Sequence, residues 1–457
     1  MVANPLARGQ PTVQTGNRTL RGGLFGHLPE LSQDPLGLLL RTTRTHGDFV
    51  QMRLGLSRTL LLGHPDLVEE VLVTRSHDFR KNVAQRRLRT ALGDGLMVSE
   101  GATWLRQRRL MQPAFHRRRI DGMAERMVTT VSNAIDSWRS GETRDMYTEM
   151  KELTLKIAAR CLLGIDISDD LDVIRQSSAV MTAHLRSRLF SLMMLVPDAV
   201  PTPGNLRYAA AIRRLDTLVY RVIRQRRQVF GSAEYMDLLS TLLGVQDEAG
   251  RTMSDRQLRD EVFTVMSASY DTTALALMWA WVMLSRNLAV RSRVFAEIDS
   301  VLDGRRPTAE DTPKLQYVSH VIAETLRLYP STWAIGREAV NDTSIAGQRV
   351  PKGTTVLFSP WVIHRDARFF DEAEAFRPER WKDGFAQRIP RFAYMPYGGG
   401  QRMCIGSAFA QLEMTLALAT IAQRFQLELS DPLRPIEAVP VLTLQPRDRM
   451  LMTISAR

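Results

Sequence analysis

Hydrophobic positions follow the period of an α-helix through most of the chain between residues 100 and 330. The longest predicted helix starts after Ser254, which forms a capping box with Gln257, and continues to about Arg286. At 1.5 Å per residue this helix is about 48 Å long. Its second half, Ala274 to Leu284, is apolar on every face. A helix of this kind lies inside a large core, so the pattern predicts a mostly helical protein.

The other periodic segments predict one hairpin, further helices and several short strands. They are a hairpin over 49–62, a helix opened by Pro65, a helix opened by Pro313 that ends before Pro330, strands within 338–360, and a last helix from Gly406 to Phe425. No repeat or low-complexity linker separates them. We therefore expect a mainly α fold with a minor β part, in which a poorly ordered lead-in over residues 1–30 precedes a single large domain over residues 31–457.

No segment is long and apolar enough to be a transmembrane helix, because the longest apolar run, Ala274 to Leu284, has only eleven residues. The first 25 residues contain Arg8, Arg18 and Arg21 but no apolar stretch, so no secretory signal peptide is visible. We expect a cytoplasmic protein without a membrane anchor.

The composition narrows the possible chemistry. Only two cysteines occur, Cys161 and Cys404, which excludes a disulfide scaffold and a four-cysteine zinc or iron–sulfur site. The 61 Lys and Arg against 49 Asp and Glu give a net charge of +12. This charge permits an acidic protein or a nucleic acid as partner, and a GC-rich coding bias explains it equally well. The basic clusters are Arg106, Arg108 and Arg109; Arg117, Arg118 and Arg119; and Arg224, Arg226 and Arg227.

The most informative segment is Tyr397–Gly406, in which three glycines precede Cys404. Glycine lets the backbone approach a flat ligand closely. Cys404 also precedes the last predicted helix, whose free N–H groups lower the pKa of a thiol and stabilise a thiolate. A thiolate without a second cysteine suits an axial ligand of heme iron, whereas Cys161, beside two leucines, is expected to be an inert buried thiol.

This segment resembles the heme-binding loop of the cytochrome P-450 family, F-x-x-G-x-R-x-C-x-G. Gly400, Arg402, Cys404 and Gly406 match the motif, and Tyr397 stands where phenylalanine is usual. The resemblance extends from about residue 45 to the C-terminus. It implies the cytochrome P-450 fold, heme b (iron protoporphyrin IX) as cofactor and Cys404 as the metal ligand. It also places Tyr397, Gly398 and Gly406 among the residues that bind the cofactor.

Three further motifs occur at plausible positions for the family. Glu324 and Arg327 resemble the E-x-x-R motif, whose spacing puts both side chains on one helix face. Arg380, in a segment that resembles the family's next motif, would join them in a buried structural network. The resemblance also implies that heme propionates are bound by the W-x-x-x-R residues Trp104 and Arg108 and by two further arginines, which are Arg337 and Arg402.

A fourth match interrupts the long apolar helix. Residues 268–273 resemble [AG]-G-x-[DE]-T-[TS], with Asp271 and Thr272 as the acid and the alcohol and Ser269 in place of the usual glycine. A threonine hydroxyl can bond to the carbonyl three or four residues back and open a helix locally. The resemblance implies that Asp271 and Thr272 are catalytic and support a water chain that delivers protons for oxygen activation.

The implied reaction is monooxygenation, with O2 and a hydrophobic small molecule as substrates. Since no G-x-G-x-x-G motif occurs and only 53 residues follow Cys404, we expect electrons from separate proteins, a ferredoxin and a ferredoxin reductase. The basic residues between Arg106 and Arg119 could steer an acidic ferredoxin, and a simple solvated face explains them equally well. The chain is expected to act as a monomer.

There are three alternatives to a monooxygenase, of which the first is closely related and the other two belong to other classes. A heme-thiolate isomerase or dehydratase would use no external electrons, but such proteins tend to lose the acid–alcohol pair that Asp271 and Thr272 preserve. A heme-based sensor is a second possibility. A nucleic-acid-binding protein is a third, and against it stands the absence of aromatic residues interleaved with the arginine clusters.

The substrate is expected to be a bulky, mostly hydrocarbon molecule. Segments at 109–115 and 201–208 resemble those of bacterial family members that oxidise cyclic sesquiterpenes, which favours a terpenoid of secondary metabolism. A macrolide or a fatty acid is the alternative, since Arg186 and Arg188 could hold a carboxylate. The predicted pocket segments are 81–97, 190–197, Phe263 with Val265 and Met266, and 332–335.

Overall fold

The structure, a computed structural model, describes residues 13, 18–20, 22–189, 191, 193, 196–228, 237–247 and 250–457. About half of the predicted lead-in over residues 1–30 lies outside the described residues. So do Phe190, Leu192, Met194 and Leu195 of the predicted pocket segment.

The described residues form a mainly α structure with a minor β part, as predicted. The α-helices are α1 (Leu28–Gln33), α2 (Pro35–His46), α3 (Pro65–Glu69), α4 (Val83–Arg87), α5 (Arg89–Leu92), α6 (Gly101–Met111), α7 (Arg117–Asp121), α8 (Ala124–Ile135), α9 (Met146–Ala158), α10 (Leu171–Leu189), α11 (Pro203–Gln228), α12 (Leu238–Gly244), α13 (Asp255–Arg286), α14 (Leu288–Leu302), α15 (Gln316–Leu328), α16 (Pro360–Ile363), α17 (Phe385–Arg388) and α18 (Ser407–Arg424). The strands are β1 (Arg18–Thr19), β2 (Phe49–Leu54), β3 (Ser57–Leu62), β4 (Phe79–Lys81), β5 (Thr143–Asp145), β6 (Ile335–Ala339), β7 (Thr343–Ile345), β8 (Gln348–Val350), β9 (Thr355–Phe358), β10 (Phe425–Leu429), β11 (Ala438–Pro440), β12 (Leu444–Pro446) and β13 (Leu451–Ala456).

The chain divides into two compact units, and the smaller one contains the main sheet. It comprises Met1–Asn82, Trp333–Ala375 and Asp383–Met403. Its six strands run in the order β1-β2-β3-β9-β6-β4, and β2 pairs with β3 as the predicted hairpin. Pro65 occupies the first turn of α3, because its fixed φ suits a position where no backbone N–H is needed.

The larger unit comprises Val83–Thr332, Phe376–Lys382 and Cys404–Arg457 and is mostly helical. Helix α13 has the predicted bounds, and Ser254 caps it by accepting a hydrogen bond from the backbone N–H of Gln257. It packs against α9, α11, α15 and α18, so its apolar second half is buried on all sides. A sheet of order β10-β13-β5 and the hairpin β11-β12 complete this unit.

The prediction that Pro313 opens a helix is wrong, since α15 begins at Gln316 and Pro313 lies in the preceding turn. The carboxylate of Glu297, on α14, accepts hydrogen bonds from the backbone N–H groups of Tyr317 and Val318 at 2.7 and 2.9 Å. A carboxylate that satisfies the free N–H groups of a first turn stabilises a helix start, and this one comes from another helix.

Among the described residues, no single helix has the length and apolar composition needed to cross a membrane. Helices α13 and α14 pass that test only as a pair, and the pair is bent by 114°.

Candidate active site

In the larger unit, Cys404 lies three residues before the first residue of α18, as predicted. Cys404 is exposed to solvent, although its thiol lies deep among protein atoms. Burial raises the pKa of this thiol, while the backbone N–H of Gly406 and the charge of Arg108 lower it. The expectation of a lowered pKa is therefore wrong for the protein alone, because burial outweighs both favourable groups.

Helix α6 carries the W-x-x-x-R pair of the larger unit. Trp104 is buried and Arg108, one turn later, is half-buried. Burial lowers the pKa of Arg108, and the opposing interaction is with Cys404. The guanidinium is thus close enough to the thiol to interact with its charge, as expected of an arginine beside the cofactor.

The smaller unit contains four further predicted cofactor residues, Arg337, Tyr397, Gly398 and Arg402, whereas Gly406 belongs to the larger unit. Arg337 lies on β6, between β9 and β4, and its Nη1 donates to the carbonyl of Gly336 at 2.9 Å. Arg402 ends a short 3₁₀ turn that begins at Gly400. Gly400 has a φ of +65°, and a Cβ at this position would overlap the carbonyl oxygen of Leu72. The loop therefore requires glycine both for its conformation and for its close packing.

Tyr397 and Gly398 stand at the start of this loop, and both are half-buried. Gly398 has a φ of +69°, which any other residue would adopt only with strain. The glycines at 398 and 400 are therefore explained by the backbone of the loop itself.

The residues around Cys404 fit a heme group. A deep thiol on an exposed residue offers an axial sulfur ligand, and the metal's charge favours the thiolate that burial disfavours. Arg108, with a side chain that remains charged, offers a partner for a propionate. Each unit thus carries cationic side chains and tight turns of the kind that the sequence motifs predict.

The acid–alcohol pair lies in the middle of α13. The hydroxyl of Thr272 donates to the carbonyl of Ala268 at 2.8 Å, as predicted. The carbonyl of Thr272 in turn accepts a hydrogen bond from the hydroxyl of Ser331 at 2.8 Å. Ser269 donates to the carbonyl of Met266 at 3.3 Å. Three backbone carbonyls of α13 thus accept hydrogen bonds from hydroxyl groups at this point of an otherwise apolar helix.

Both carboxylate oxygens of Asp271 have hydroxyl donors. Tyr147, on α9, donates to Oδ1 and Thr443, before β12, donates to Oδ2, each at 2.8 Å. The Nζ of Lys151 lies 3.6 Å from Oδ1. Sequence reasoning missed these three residues. Only the helical spacing of Tyr147 and Lys151 was readable, since i and i+4 share one face of a helix.

The E-x-x-R network forms as predicted and includes more partners. Glu324 and Arg327 have no exposed side-chain surface and bond through two contacts of 2.8 and 2.9 Å. Arg380 donates to Glu324 at 3.0 Å, and Trp381 adds an indole N–H at 2.9 Å. Glu324 also accepts the backbone N–H of Arg377 at 2.9 Å. Such complete pairing is what a buried carboxylate requires, so this network is structural.

Two other buried ionisable groups lie near α13 and α18. Cys161 is fully buried, and burial raises its pKa to about 12, in agreement with the inert thiol predicted. Glu413, on α18, is also buried, and burial raises the pKa of its carboxyl well above the usual value, with the hydroxyl of Thr273 as the one group that opposes this effect. Burial therefore favours the neutral form of this carboxyl.

The predicted pocket face of α13 is divided by the structure. Phe263 and Met266 line an apolar cavity of about 60 Å³ together with residues of α9, α10 and α11. Ala268 and Thr272 take no part in its lining. Phe263 and Met266 therefore belong to the interhelical core rather than to the face that carries Thr272.

Comparison with known proteins assigns the family. The cytochrome P450 family model matches residues 19–452. The chain is 36% identical to cyclooctatin synthase of Streptomyces melanosporofaciens over 97% of this chain and 95% of that protein. It is 38% identical to cyclooctat-9-en-7-ol 5-monooxygenase of the same organism, over 88% and 87%, and 33% identical to pentalenene oxygenase of Streptomyces avermitilis, over 95% and 96%. The chain therefore belongs to the cytochrome P450 family and is a heme-dependent monooxygenase.

Proposed function

We propose that this enzyme oxidises a cyclic terpenoid of secondary metabolism, with Cys404 as the thiolate ligand of its heme. The observation that carries the site assignment is the Cys404 thiol, which is deep, belongs to an exposed residue and is influenced by the charge of Arg108. The observation that carries the substrate class is the similarity over most of the chain to terpene-oxidising relatives.

Each predicted residue then has a defined role toward the cofactor. Trp104, Arg108, Arg337 and Arg402 hold the propionates, because guanidinium and indole groups donate to carboxylates. The turns at Tyr397, Gly398 and Gly406 set the position of the loop that carries Cys404. Heme bound at this site would supply the chemistry for dioxygen activation and for oxidation of a C–H bond of the substrate.

The protein itself controls protons and water. Asp271 receives protons from the solvent side of the enzyme, and the hydroxyl of Thr272 orders the groups that pass them on. The hydroxyl of Thr272 donates to the carbonyl of Ala268, and the carbonyl of Thr272 accepts from the hydroxyl of Ser331. Two hydrogen bonds therefore fix this position of α13. General acid catalysis of this kind contributes about 10²- to 10⁴-fold to a rate.

The structure weakens the fatty-acid alternative. Arg188, which was expected to hold a substrate carboxylate, is buried and donates to the carbonyl of Val196 and the side chain of Asn205, each at 2.6 Å. It also pairs with Asp198 at 3.0 Å. Three of the five N–H groups of Arg188 thus contact protein groups, and Asp198 already balances its charge, which makes it a poor partner for a ligand carboxylate and favours a neutral substrate.

Ligand titration tests the substrate class. We expect cyclic terpene hydrocarbons and terpene alcohols to shift the heme of the purified enzyme to high spin, because an apolar ligand displaces water from the site. Long-chain fatty acids and macrolactones serve as the comparison ligands, and a linear terpene alcohol controls for hydrophobicity without a ring. A shift produced only by carboxylates or macrolactones would disprove the terpenoid assignment.

We further propose a ferredoxin and a ferredoxin reductase as electron donors to a cytoplasmic, monomeric enzyme. Two members of the predicted basic face are committed to other contacts. Arg106 donates to Asp247 at 2.8 Å, and Arg119 donates to Thr241 at 2.7 Å. Arg117 and Arg118 are exposed, although Arg117 is 3.7 Å from Asp121. We infer that these two cations steer an acidic partner.

The double variant R117E/R118E is expected to raise the KM for ferredoxin about tenfold at low salt and to leave the CO spectrum and terpenoid binding unchanged. R349E, which reverses an exposed arginine of β8, is the matched control. The difference between the two should shrink as ionic strength rises, because salt screens exposed charges. Equal KM values for R117E/R118E and the wild type would show that this surface does not steer ferredoxin.

A further inference from the structure

We propose that Tyr147, Thr443 and Lys151 position Asp271 for proton delivery, with Lys151 as the group that supplies its protons from solvent. This inference rests on the proposed role of Asp271. It assigns to helix α9 and the β11–β12 hairpin a function in the reaction, although neither carries a motif of the family.

The geometry restrains Asp271 from two sides. Tyr147 and Thr443 donate to different oxygens of the carboxylate, each at 2.8 Å. They belong to elements that are far apart in sequence, so the carboxylate is restrained on both edges. We call Tyr147 and Thr443 the Asp271 clamp.

The hairpin is itself tied to α13. The indole N–H of Trp279 donates to the carbonyl of Leu444 at 3.2 Å, and the backbone N–H of Leu444 donates to the carbonyl of Ser331 at 3.1 Å. Ser331 also bonds to Thr272. The hydrogen bonds of Leu444 and Ser331 therefore link the hairpin that carries Thr443 to the backbone of the acid–alcohol pair. A movement of Thr443 would disturb these hydrogen bonds.

Tyr147 cannot itself supply the proton. Burial, followed by the negative charge of Asp271, raises the pKa of its hydroxyl far above the usual value, so it remains a hydrogen-bond donor. Tyr270, whose pKa is raised to about 12 by burial, is equally unsuited. Asp145 also acts on Tyr147, and its negative charge works in the same direction. Neither tyrosine therefore exchanges protons with Asp271 at neutral pH, and of the two only Tyr147 donates a hydrogen bond to it.

Lys151 has the properties that Tyr147 lacks. Its side chain is 32% exposed, and its Nζ lies 3.6 Å from the Oδ1 that also accepts from Tyr147. The ammonium group lies over the rings of Tyr147 and Tyr270, at 5.1 and 5.8 Å from their centroids. In the proposed step an N–H bond of Lys151 breaks as an O–H bond forms on Asp271, and the neutral amine then takes a proton from a hydronium ion of the solvent, which leaves water.

Turnover measurements on four variants test this inference. Y147F and T443V each remove one donor and keep the side-chain volume, and K151M removes the charge and the proton. K151R keeps the charge but cannot release a proton near neutral pH. We expect each variant to form product about tenfold more slowly, with a larger solvent isotope effect and more peroxide.

Two controls separate this role from a structural one. Y270F removes a buried hydroxyl beside Asp271 that interacts with Ser178, and K156M removes a lysine of the same helix that pairs with Glu152. Both are expected to match the wild type. All variants should keep the CO spectrum and the terpenoid-induced spin shift, so that a folding defect is recognised directly.

The variant D271N distinguishes failure of this inference from failure of the proposed proton role. If D271N is as active and as well coupled as the wild type, the proposed role of Asp271 fails. If D271N is slow while Y147F and T443V match the wild type, only the clamp is disproved, and a fully active K151R disproves the proton supply by Lys151. We expect Y147F to have no further effect in the D271N background, because interacting residues are not additive.

Discussion

Replacing Cys404 with alanine is expected to abolish oxidation of every substrate and to remove the red-shifted Soret band that thiolate ligation gives to the reduced CO complex. The effect should be complete, because the sequence has only one other cysteine. Cys161 cannot take over the role, since it is fully buried and burial raises its pKa to about 12. The measurement is the reduced CO difference spectrum of heme-reconstituted protein.

C161A is the matched control, since it removes the other thiol and leaves Cys404 in place. It should keep the thiolate-type band, with some loss of stability from the small cavity that it creates. A C404A variant that retains this band, or a C161A variant that loses it while binding heme, would contradict the assignment of Cys404.

Replacing Thr272 with alanine is expected to keep heme and substrate binding but to divert electrons from product to peroxide. The hydroxyl that is removed donates to the carbonyl of Ala268 in the middle of α13. Without it, the hydrogen bonds that order proton delivery are lost, and we expect the yield of product per electron to fall by about tenfold or more. The measurement compares NADH consumed, peroxide formed and product formed in the reconstituted system.

The conservative variant T272S should recover most of the yield, because it restores the hydroxyl. T420A is the matched control, since Thr420 makes the same kind of bond to the carbonyl four residues back but lies in α18. If T272A remains as well coupled as the wild type, Thr272 has no part in proton delivery, and Ser269 and Thr273 become the residues to test.

Local sequence patterns were sufficient for much of the fold. The bounds of α13 and α18 follow from capping at Ser254 and from the glycine-rich loop before Cys404, and both are interactions between near neighbours in sequence. The E-x-x-R pair likewise lies within one helical turn. Patterns of this kind are readable because the residues that determine them are adjacent in the chain.

Features that depend on distant parts of the chain were not readable. The start of α15 is set by Glu297, on another helix, rather than by the nearby Pro313. The donors of Asp271 come from α9 and from the β11–β12 hairpin, about 120 and 170 residues away. No local sequence pattern predicts such pairs, because they form only when tertiary packing has brought the elements together.

Electrostatic balance is the other quantity that the sequence could not supply. The loop and helix positions around Cys404 correctly indicated favourable N–H groups, but the raised pKa results from burial, which only the structure shows. Similarly, Arg188 and Arg106 read as available cations, while the structure pairs them with Asp198 and Asp247. The arginines that remain exposed are a smaller set than the sequence indicates.

Isotope labelling tests the central claim, that this enzyme inserts one atom of O2 into a cyclic terpenoid, most directly. The holoenzyme, supplied with ferredoxin, ferredoxin reductase, NADH and a cyclic terpenoid identified by the spin-shift titration, should be run under ¹⁸O2 in ordinary water. We expect a product that carries one ¹⁸O atom per oxidation, and a product without ¹⁸O when the label is in the water instead. An isomerised or dehydrated product without label, formed equally well without NADH, would contradict the central claim.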